Sequence, residues 1–334
     1  MDWRIGVIGT GAIGKEHIDR ITNKLSGGKI TALTDVNPEN AKSAASLCGA
    51  RIEHSDKDVI NAPDVDGILV ASWGSAHASS VLAAIGAGKP VFCEKPLATT
   101  AGDCKKIVDA EMNRGKKLVQ VGFMRRYDRG YLQVKEILDG GKIGKPLMLH
   151  CTHRNMSVGE NYTTDMAVTD TAIHEIDCLH WLINEQYVSA QVLFPRATKY
   201  CHPKLRDPQF MILTTESGIT IDIEVFVNCQ FGYDIECEVC CEDGVVKMPE
   251  PAFPTLRYKA ARSVAMETDW KCRFADAYDV EIQDWINAAK EGKVKGPTAW
   301  DGYLAAVTAD ALVKAQGSGR VEPITTGPCP DFYK

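Results

Sequence analysis

The segment Gly9-Thr10-Gly11-Ala12-Ile13-Gly14 follows an apolar run, Arg4–Ile8, and opens a helical pattern over Ile13–Leu25. A strand, a glycine turn and a helix in that order narrow the possible folds sharply. The glycines permit a tight turn, close approach of the backbone to a pyrophosphate, and close packing of helix on strand. The unpaired amides at the helix start then meet the anion. G-x-G-x-x-G alone is a weak signal, because glycine-rich turns produce it without a ligand. Its weight comes from its place at the head of a βα series.

That series continues for about 120 residues. Short apolar runs at Ile30–Thr34, Gly67–Ala71, Pro90–Cys93 and Lys117–Val121 predict strands buried on both faces. Helical patterns at Pro38–Cys48, His77–Ala87 and Ala101–Arg114 lie between them. The alternation predicts an α/β Rossmann dinucleotide-binding domain over residues 1–122 with a parallel sheet. The second strand ends at Asp35, 21 residues after Gly14. A carboxylate there accepts from the adenosine ribose hydroxyls and repels a 2′-phosphate, which favours NAD over NADP. The competing reading of Asp35 is a cap for the helix that follows Asn37-Pro38.

The pattern changes after Gly122. A helix near Tyr127–Leu138, a strand at Pro146–His153 and a helix near Thr169–Ile183 precede a run of strands at Val188–Lys199, Phe210–Thr215, Ile219–Cys229, Tyr233–Cys241 and Val245–Met248. Ile219, Ile221, Ile223, Val225 and Val227 alternate with polar or outward positions, as in a half-buried antiparallel strand. Residues 123–334 therefore read as an α+β domain with a large open, mostly antiparallel sheet. Two helices close the chain, Ala277–Lys290 and Trp300–Gln316, and are expected to pack back on the first domain. Thr298 and Asp301 resemble a capping box at the second.

Composition removes several classes of function. Of 334 residues 45% are hydrophobic and 25% charged, and the net charge is −6 with no basic run, so neither nucleic acid nor an anionic membrane is an expected partner. No apolar stretch approaches the roughly 18 residues of a membrane span, and no signal peptide is visible. Twelve cysteines are scattered from Cys48 to Cys329, many in apolar segments. The one C-x-x-C, Cys237–Cys240, reads as strand, which puts its thiols on opposite faces. Reduced, structural cysteines in a cytoplasmic protein are expected, and no metal.

Glu94-Lys95-Pro96 follows the strand Pro90–Cys93. Ligands of open α/β sheets sit outside the carboxyl ends of the strands, so Lys95 falls where a nicotinamide and a substrate could meet; alone, a Lys-Pro there is usually just a turn. Farther on, Asp170-Thr-Ala-Ile-His174-Glu-Ile-Asp177 places Asp170, His174 and Asp177 at about 0°, 40° and −20° on an α-helical wheel, roughly opposite Ala172, Ile176, Leu179 and Ile183. A merely solvated stripe would be expected to carry lysines or arginines in i,i+4 pairs, and Asp170–Ile183 has none. A metal reading of His174, Asp177 and His180 fails on spacing, since His180 lies well off the stripe.

Together the glycine fingerprint, Glu94-Lys95-Pro96, Asp170–Asp177 and the late Asp301-Gly302 resemble the glucose-fructose oxidoreductase / inositol dehydrogenase / rhizopine-catabolism (Gfo/Idh/MocA) family over nearly the whole chain. Gly122–Asp128, His153-Arg154-Asn155 and Gly232-Tyr233-Asp234 look like the polyol-site segments of its inositol-oxidising branch. The resemblance implies NAD-dependent oxidation of a cyclic polyol, myo-inositol to 2-keto-myo-inositol first, with Lys95, Asp170 and His174 as the catalytic group. It further implies Gly9, Gly11, Ala12, Ile13, Gly14, Asp35, Trp73, His77, Glu94 and Lys95 at the cofactor. For the substrate it implies Lys95, Arg125, Arg126, Tyr127, His153, Asn155, Asp170, His174 and Tyr233, in a homotetramer. Thr164–Thr169 departs from the glycine-rich run that many members carry there. Residue chemistry supports the same roles: His174 as base, Asp170 as its orienter, and Lys95 as positive charge beside a developing alkoxide. Other inositol isomers, an aldose dehydrogenase and a non-catalytic NAD-sensing regulator remain as alternatives.

Overall fold

The computed structural model describes residues 2–334. The chain divides into two compact units. The first holds the residues up to Met124 together with Tyr278–Val307 and Thr326–Lys334; the second holds Arg125–Ala277 and Thr308–Thr325. After the second unit begins at Arg125, the chain returns to the first at Tyr278. The physical reason is apolar: Ile282, Trp285, Ile286 and Ala289 complete the core begun by Trp3, Ile5, Val7 and Phe92. The Trp285 ring meets Trp3 edge-on at 4.9 Å and Phe92 at 5.5 Å. Burying each such side chain contributes about 1.5–3 kcal/mol.

The first unit runs β1 (Trp3–Ile8), α1 (Ala12–Asn23), β2 (Gly28–Thr34), α2 (Pro38–Cys48), β3 (Arg51–Ile52), α3 (Asp56–Asn61), β4 (Gly67–Val70), α4 (Gly74–Ala87), β5 (Val91–Glu94), α5 (Ala101–Arg114) and β6 (Val119–Gly122). Its strands form one sheet in the order β3-β2-β1-β4-β5-β6, every ladder parallel. The order reverses between β1 and β4, which opens a crevice at their carboxyl ends. All residues of β4, β5 and β6 are buried, the polar Glu94 and Gln120 among them. β3 and α3 are absent from the sequence reading because two and six residues are too short to show a period.

The second unit contains α6 (Arg129–Asp139), β7 (Pro146–Arg154), a π-helical turn (Ala167–Ala172) leading into α7 (Ile173–Ile183), then β8 (Tyr187–Leu193), β9 (Gln209–Thr215), β10 (Thr220–Phe226), β11 (Asp234–Cys241), β12 (Val245–Lys247) and the hairpin β13 (Thr255–Tyr258) and β14 (Ala261–Val264). Two helices, α8 (Trp270–Lys290) and α9 (Ala299–Ser318), have residues in both units, and β15 (Glu322–Pro323) closes the second sheet. That sheet has the order β12-β11-β7-β10-β9-β8-β15 and is mostly antiparallel. The exception is β10, which runs parallel to β7 and antiparallel to β9. Ile221, Ile223 and Val225 are fully buried and alternate with half-buried Asp222, Glu224 and Phe226. The strand predicted over Val188–Lys199 stops at Leu193. Pro195, two residues on, has no N–H to give a ladder. The Thr298–Asp301 capping box forms as expected: the Thr298 amide donates to Asp301 Oδ2 at 2.7 Å and the Asp301 amide donates to Thr298 Oγ1 at 3.4 Å. Among the described residues no disulfide joins the cysteines, and no helix is long and apolar enough to cross a membrane.

Candidate active site

Gly9 leaves β1 with φ of +90°, and a Cβ there would lie 2.4 Å from the Ser72 amide nitrogen. A Cβ on Gly14 would lie 2.3 Å from the Gly9 carbonyl oxygen, so the first turn of α1 packs directly on the loop. Gly11 differs: a Cβ there would meet nothing within 4 Å. Gly9 and Gly14 are therefore required by the protein itself, whereas Gly11 borders open space, as it would if a ligand's backbone-hugging anion lay there. Ala12 and Ile13 begin α1 and present its unpaired amides.

Asp35 lies just past β2 and turns back to the same loop. Its Oδ2 accepts from the Thr10 amide at 2.6 Å and from the Thr10 hydroxyl at 3.0 Å, and its Oδ1 accepts from the Asn37 amide at 2.8 Å. The cap of α2 is Asn37, whose Oδ1 accepts from the Glu39 amide at 3.0 Å. Asp35 is thus not the helix cap. A glycine loop with open space above its second glycine, helix-start amides, and a carboxylate at the end of the second strand fit a dinucleotide.

Glu94 is the last residue of β5 and is buried. The Lys95–Pro96 peptide that follows is cis. The Pro96 carbonyl lies 2.7 Å from His77 Nδ1, and the Ser72 carbonyl lies 3.0 Å from His77 Nε2. Burial lowers the His77 pKa, and the two carbonyls oppose that shift. His77 is 1% exposed, so its ring ties the ends of β4 and β5 together beneath the crevice. Trp73, at the N-cap of α4, is 79% exposed.

In the second unit the wheel drawn for residues 170–183 needs correction. Ala167–Ala172 is π-helical, so its hydrogen bonds reach one residue farther and each residue turns by less than in an α-helix. Only from Ile173 onward does the α period apply. Nor is there a solvated stripe: every residue from Ile173 to Leu179 is buried. Asp170 sits in the π turn and His174 in the first turn of α7, 8% exposed. π-Turns recur at functional sites because they re-aim side chains without ending the helix.

The burial of α7 is made possible by ion pairs. Arg125, 1% exposed, donates to Glu175, which is equally buried. Glu175 Oε2 and Arg125 Nη2 lie 3.0 and 3.1 Å from His153 Nδ1. Burial pushes the Glu175 carboxyl up, but the charges of Arg125 and His153 more than reverse this and hold it at about 2. Arg126 grips Asp177 through two hydrogen bonds of 2.8 and 2.5 Å. The His153 ring lies 6.4 Å from that of His174 and meets Tyr233 edge-on at 5.8 Å. Burial raises the Tyr233 hydroxyl to about 12, so it remains a donor at every ordinary pH.

Residues 3–123 match an oxidoreductase family described by its NAD-binding Rossmann fold, and residues 135–326 match the C-terminal alpha/beta domain of the same family. The chain belongs to the Gfo/Idh/MocA oxidoreductase family. Among curated members it is 57% identical to an inositol 2-dehydrogenase of Klebsiella pneumoniae and 56% identical to one of Serratia proteamaculans, covering the whole chain and at least 99% of each relative. A crystal structure of myo-inositol dehydrogenase from Lactobacillus casei, in complex with NAD(H) and myo-inositol, matches with a TM-score of 0.98 at 42% identity, all of both chains covered.

As a family member the chain groups the residues singled out from its sequence in two sets. Gly9–Gly14, Asp35, Trp73, His77, Glu94 and Lys95 belong to the first unit; Arg125, Arg126, Tyr127, His153, Asn155, Asp170, His174 and Tyr233 belong to the second. Within the second, the rings of His174 and Tyr233 both lie near that of His153, and Asn155 continues from the end of β7. Arg125 and Arg126 are committed to Glu175 and Asp177. Arg154, on the opposite face of β7, bonds Glu224 and Asp234. The sequence reading missed Glu175 and His17. Each is a titratable residue among the buried apolar residues of its helix, His17 together with Arg20, and that mismatch is the signal that could have found it.

Proposed function

We propose that this protein oxidises a cyclic polyol with NAD, taking myo-inositol to 2-keto-myo-inositol. The observation that carries the reading is the end-to-end likeness to the Lactobacillus casei enzyme holding NAD(H) and myo-inositol. The curated inositol 2-dehydrogenases support it at 57% identity over the full length.

The glycine loop and the amides of α1 would hold the pyrophosphate, and Asp35 would accept from the adenosine ribose. NAD, when bound, supplies the acceptor for the hydride leaving the carbinol carbon. His174 takes the hydroxyl proton, and Asp170 holds its imidazole in the basic tautomer. Lys95 places positive charge beside the oxygen as its proton leaves. His153, Asn155 and Tyr233 read the ring hydroxyls, and a site built to bond a hydroxyl rejects analogues that lack it. Arg125 and Arg126 act at one remove, by fixing α7. We further infer a cytoplasmic homotetramer, with the outer face of the second sheet (exposed Thr220 and half-buried Asp222, Glu224 and Phe226) covered by another copy.

NADH formation measured in parallel with myo-, scyllo- and D-chiro-inositol, glucose and galactose tests the substrate. Turnover highest with myo-inositol is the expected result; a preference for an aldose, or no NADH with any polyol, overturns it. For the cofactor, Asp35→Asn lowers the NAD-to-NADP ratio of kcat/KM by about tenfold or more, since like-charge repulsion of a phosphate is worth at least that much. Steady-state kinetics with both nucleotides reads the change.

A further inference from the structure

Four buried or half-buried polar side chains of the first unit form a chain that ends at the backbone of Lys95. Asp279 Oδ1 accepts from Arg20 Nε at 2.9 Å; Arg20 Nη1 lies 2.8 Å from His17 Nδ1; His17 Nε2 lies 2.6 Å from Glu94 Oε1; and Glu94 Oε2 accepts from the Lys95 amide at 3.2 Å. His17 is completely buried, and Arg20 and Glu94 are each 4% exposed. The glycine loop and Lys95 are both accounted for by the proposed reaction, but it gives His17 and Arg20 no role.

The protons in this chain follow from which groups can donate. A guanidinium has only donors. Arg20 therefore donates to His17 Nδ1, which must carry a lone pair, so the imidazole proton is on Nε2. Nε2–H donates to Glu94 Oε1, and the carboxylate stays ionised with Oε2 left for the Lys95 amide. The pKa directions agree. Burial lowers that of His17 despite the opposing pull of Glu94. Burial raises that of Glu94, but the hydrogen bond from His17 and the charge of Lys95 act against it, and it lies below its ordinary value. The carboxylate also has little freedom to turn. Gly122 is its register partner on β6, where a Cβ would come within 3.2 Å of the Glu94 carboxyl carbon. The Phe92 and Tyr278 rings flank the imidazole edge-on at 5.7 and 5.8 Å.

We propose that His17 is a positioning residue for Lys95: held in one tautomer by Arg20, it orients the Glu94 carboxylate that fixes the Lys95 backbone. His77, through the Pro96 carbonyl, holds the other side of the same turn. His17 is on α1, whose first turn borders the cofactor loop, so the chain links the two parts of the first unit that the reaction uses. The inference rests on the assignment of Lys95 as catalytic.

The two ring nitrogens can be replaced separately. In His17→Asn the amide reaches the Nδ1 position and serves Arg20, but Glu94 loses its donor. In His17→Gln the amide reaches the Nε2 position and still donates to Glu94. Kinetics with NAD and myo-inositol, titration of NAD binding, and thermal unfolding are measured for both, with Lys95→Ala alongside. A displacement of about an ångström at a reacting group costs on the order of 10²-fold. The expected result is a 10- to 100-fold fall in kcat for His17→Asn, with NAD affinity within about threefold of wild type and most of the turnover restored in His17→Gln. Full turnover in His17→Asn, equal losses in both variants, or a loss of NAD affinity parallel to kcat overturns the proposal. Should His17→Asn fail to fold, Glu94→Gln takes its place, because it removes the same charge-assisted bond one step nearer Lys95, and a kcat equal to wild type overturns the proposal there. Lys95→Ala separates the two readings: if it is inactive while His17→Asn is normal, only the positioning role fails; if it is fully active, the assignment of Lys95 fails.

Discussion

Replacing His174 by alanine lowers kcat by about 10²–10⁴-fold, the span a positioned general base contributes, and leaves NAD binding in place. His174 is in the second unit, and the residues assigned to the cofactor are all in the first. A cofactor titration should therefore superimpose on that of the wild type while NADH formation with myo-inositol nearly stops. The pH dependence carries the same information. Wild-type kcat/KM should rise with pH through the titration of the base, and that rise should vanish in the variant. Near-normal turnover across pH would remove His174 from the mechanism. The π turn before α7 makes the position sensitive to insertion as well as substitution, because it sets the angle between Asp170 and His174.

Arg125→Met is the variant expected to damage stability most. The methionine fills much of the same volume but leaves the Glu175 carboxylate buried without its main partner. Breaking a buried pair in this way costs about 3–5 kcal/mol, on the order of 10 °C in the unfolding midpoint. The pH dependence has a definite sign. Glu175 is held at about 2, below its ordinary 4.5. The stability it contributes is present above pH 4.5 and is lost as pH falls toward 2. The difference in midpoint between wild type and variant should therefore be largest near neutrality and shrink through that acidic window. A difference independent of pH would mean that Arg125 stabilises the unit through packing against Tyr131 and Phe274, the two rings beneath its guanidinium.

Much of this architecture could be read from the residues. The glycine loop, the five longer strands of the first sheet and the Thr298–Asp301 cap are local features, each specified by a turn, a period or a capping chemistry within a few positions. What escaped the reading was non-local. The parallel pairing of β10 with β7 depends on which edge β10 finds, and its alternation is the same either way. The π turn leaves no signature in a period calculated at 100° per residue. Glu175 looked like one more polar residue until Arg125, fifty positions earlier, was seen to neutralise it. His17 likewise gained meaning only from Glu94, 77 positions away. The place of Trp285 is likewise set by partners far away in sequence, Trp3 and Phe92.

That late tryptophan has a consequence for biosynthesis. Trp3, Phe92 and the strands around them emerge from the ribosome long before Ile282, Trp285 and Ile286, which fill the same core. At 5–20 residues per second the interval from Gly122 to Trp285 is on the order of ten seconds or more. For that time the nascent amino-terminal half presents an uncovered apolar surface, and it can close only when the second unit has been made. Vectorial folding of the cofactor half ahead of the rest is thereby denied to this chain, and the nascent chain is most exposed to chaperones and to aggregation during that wait.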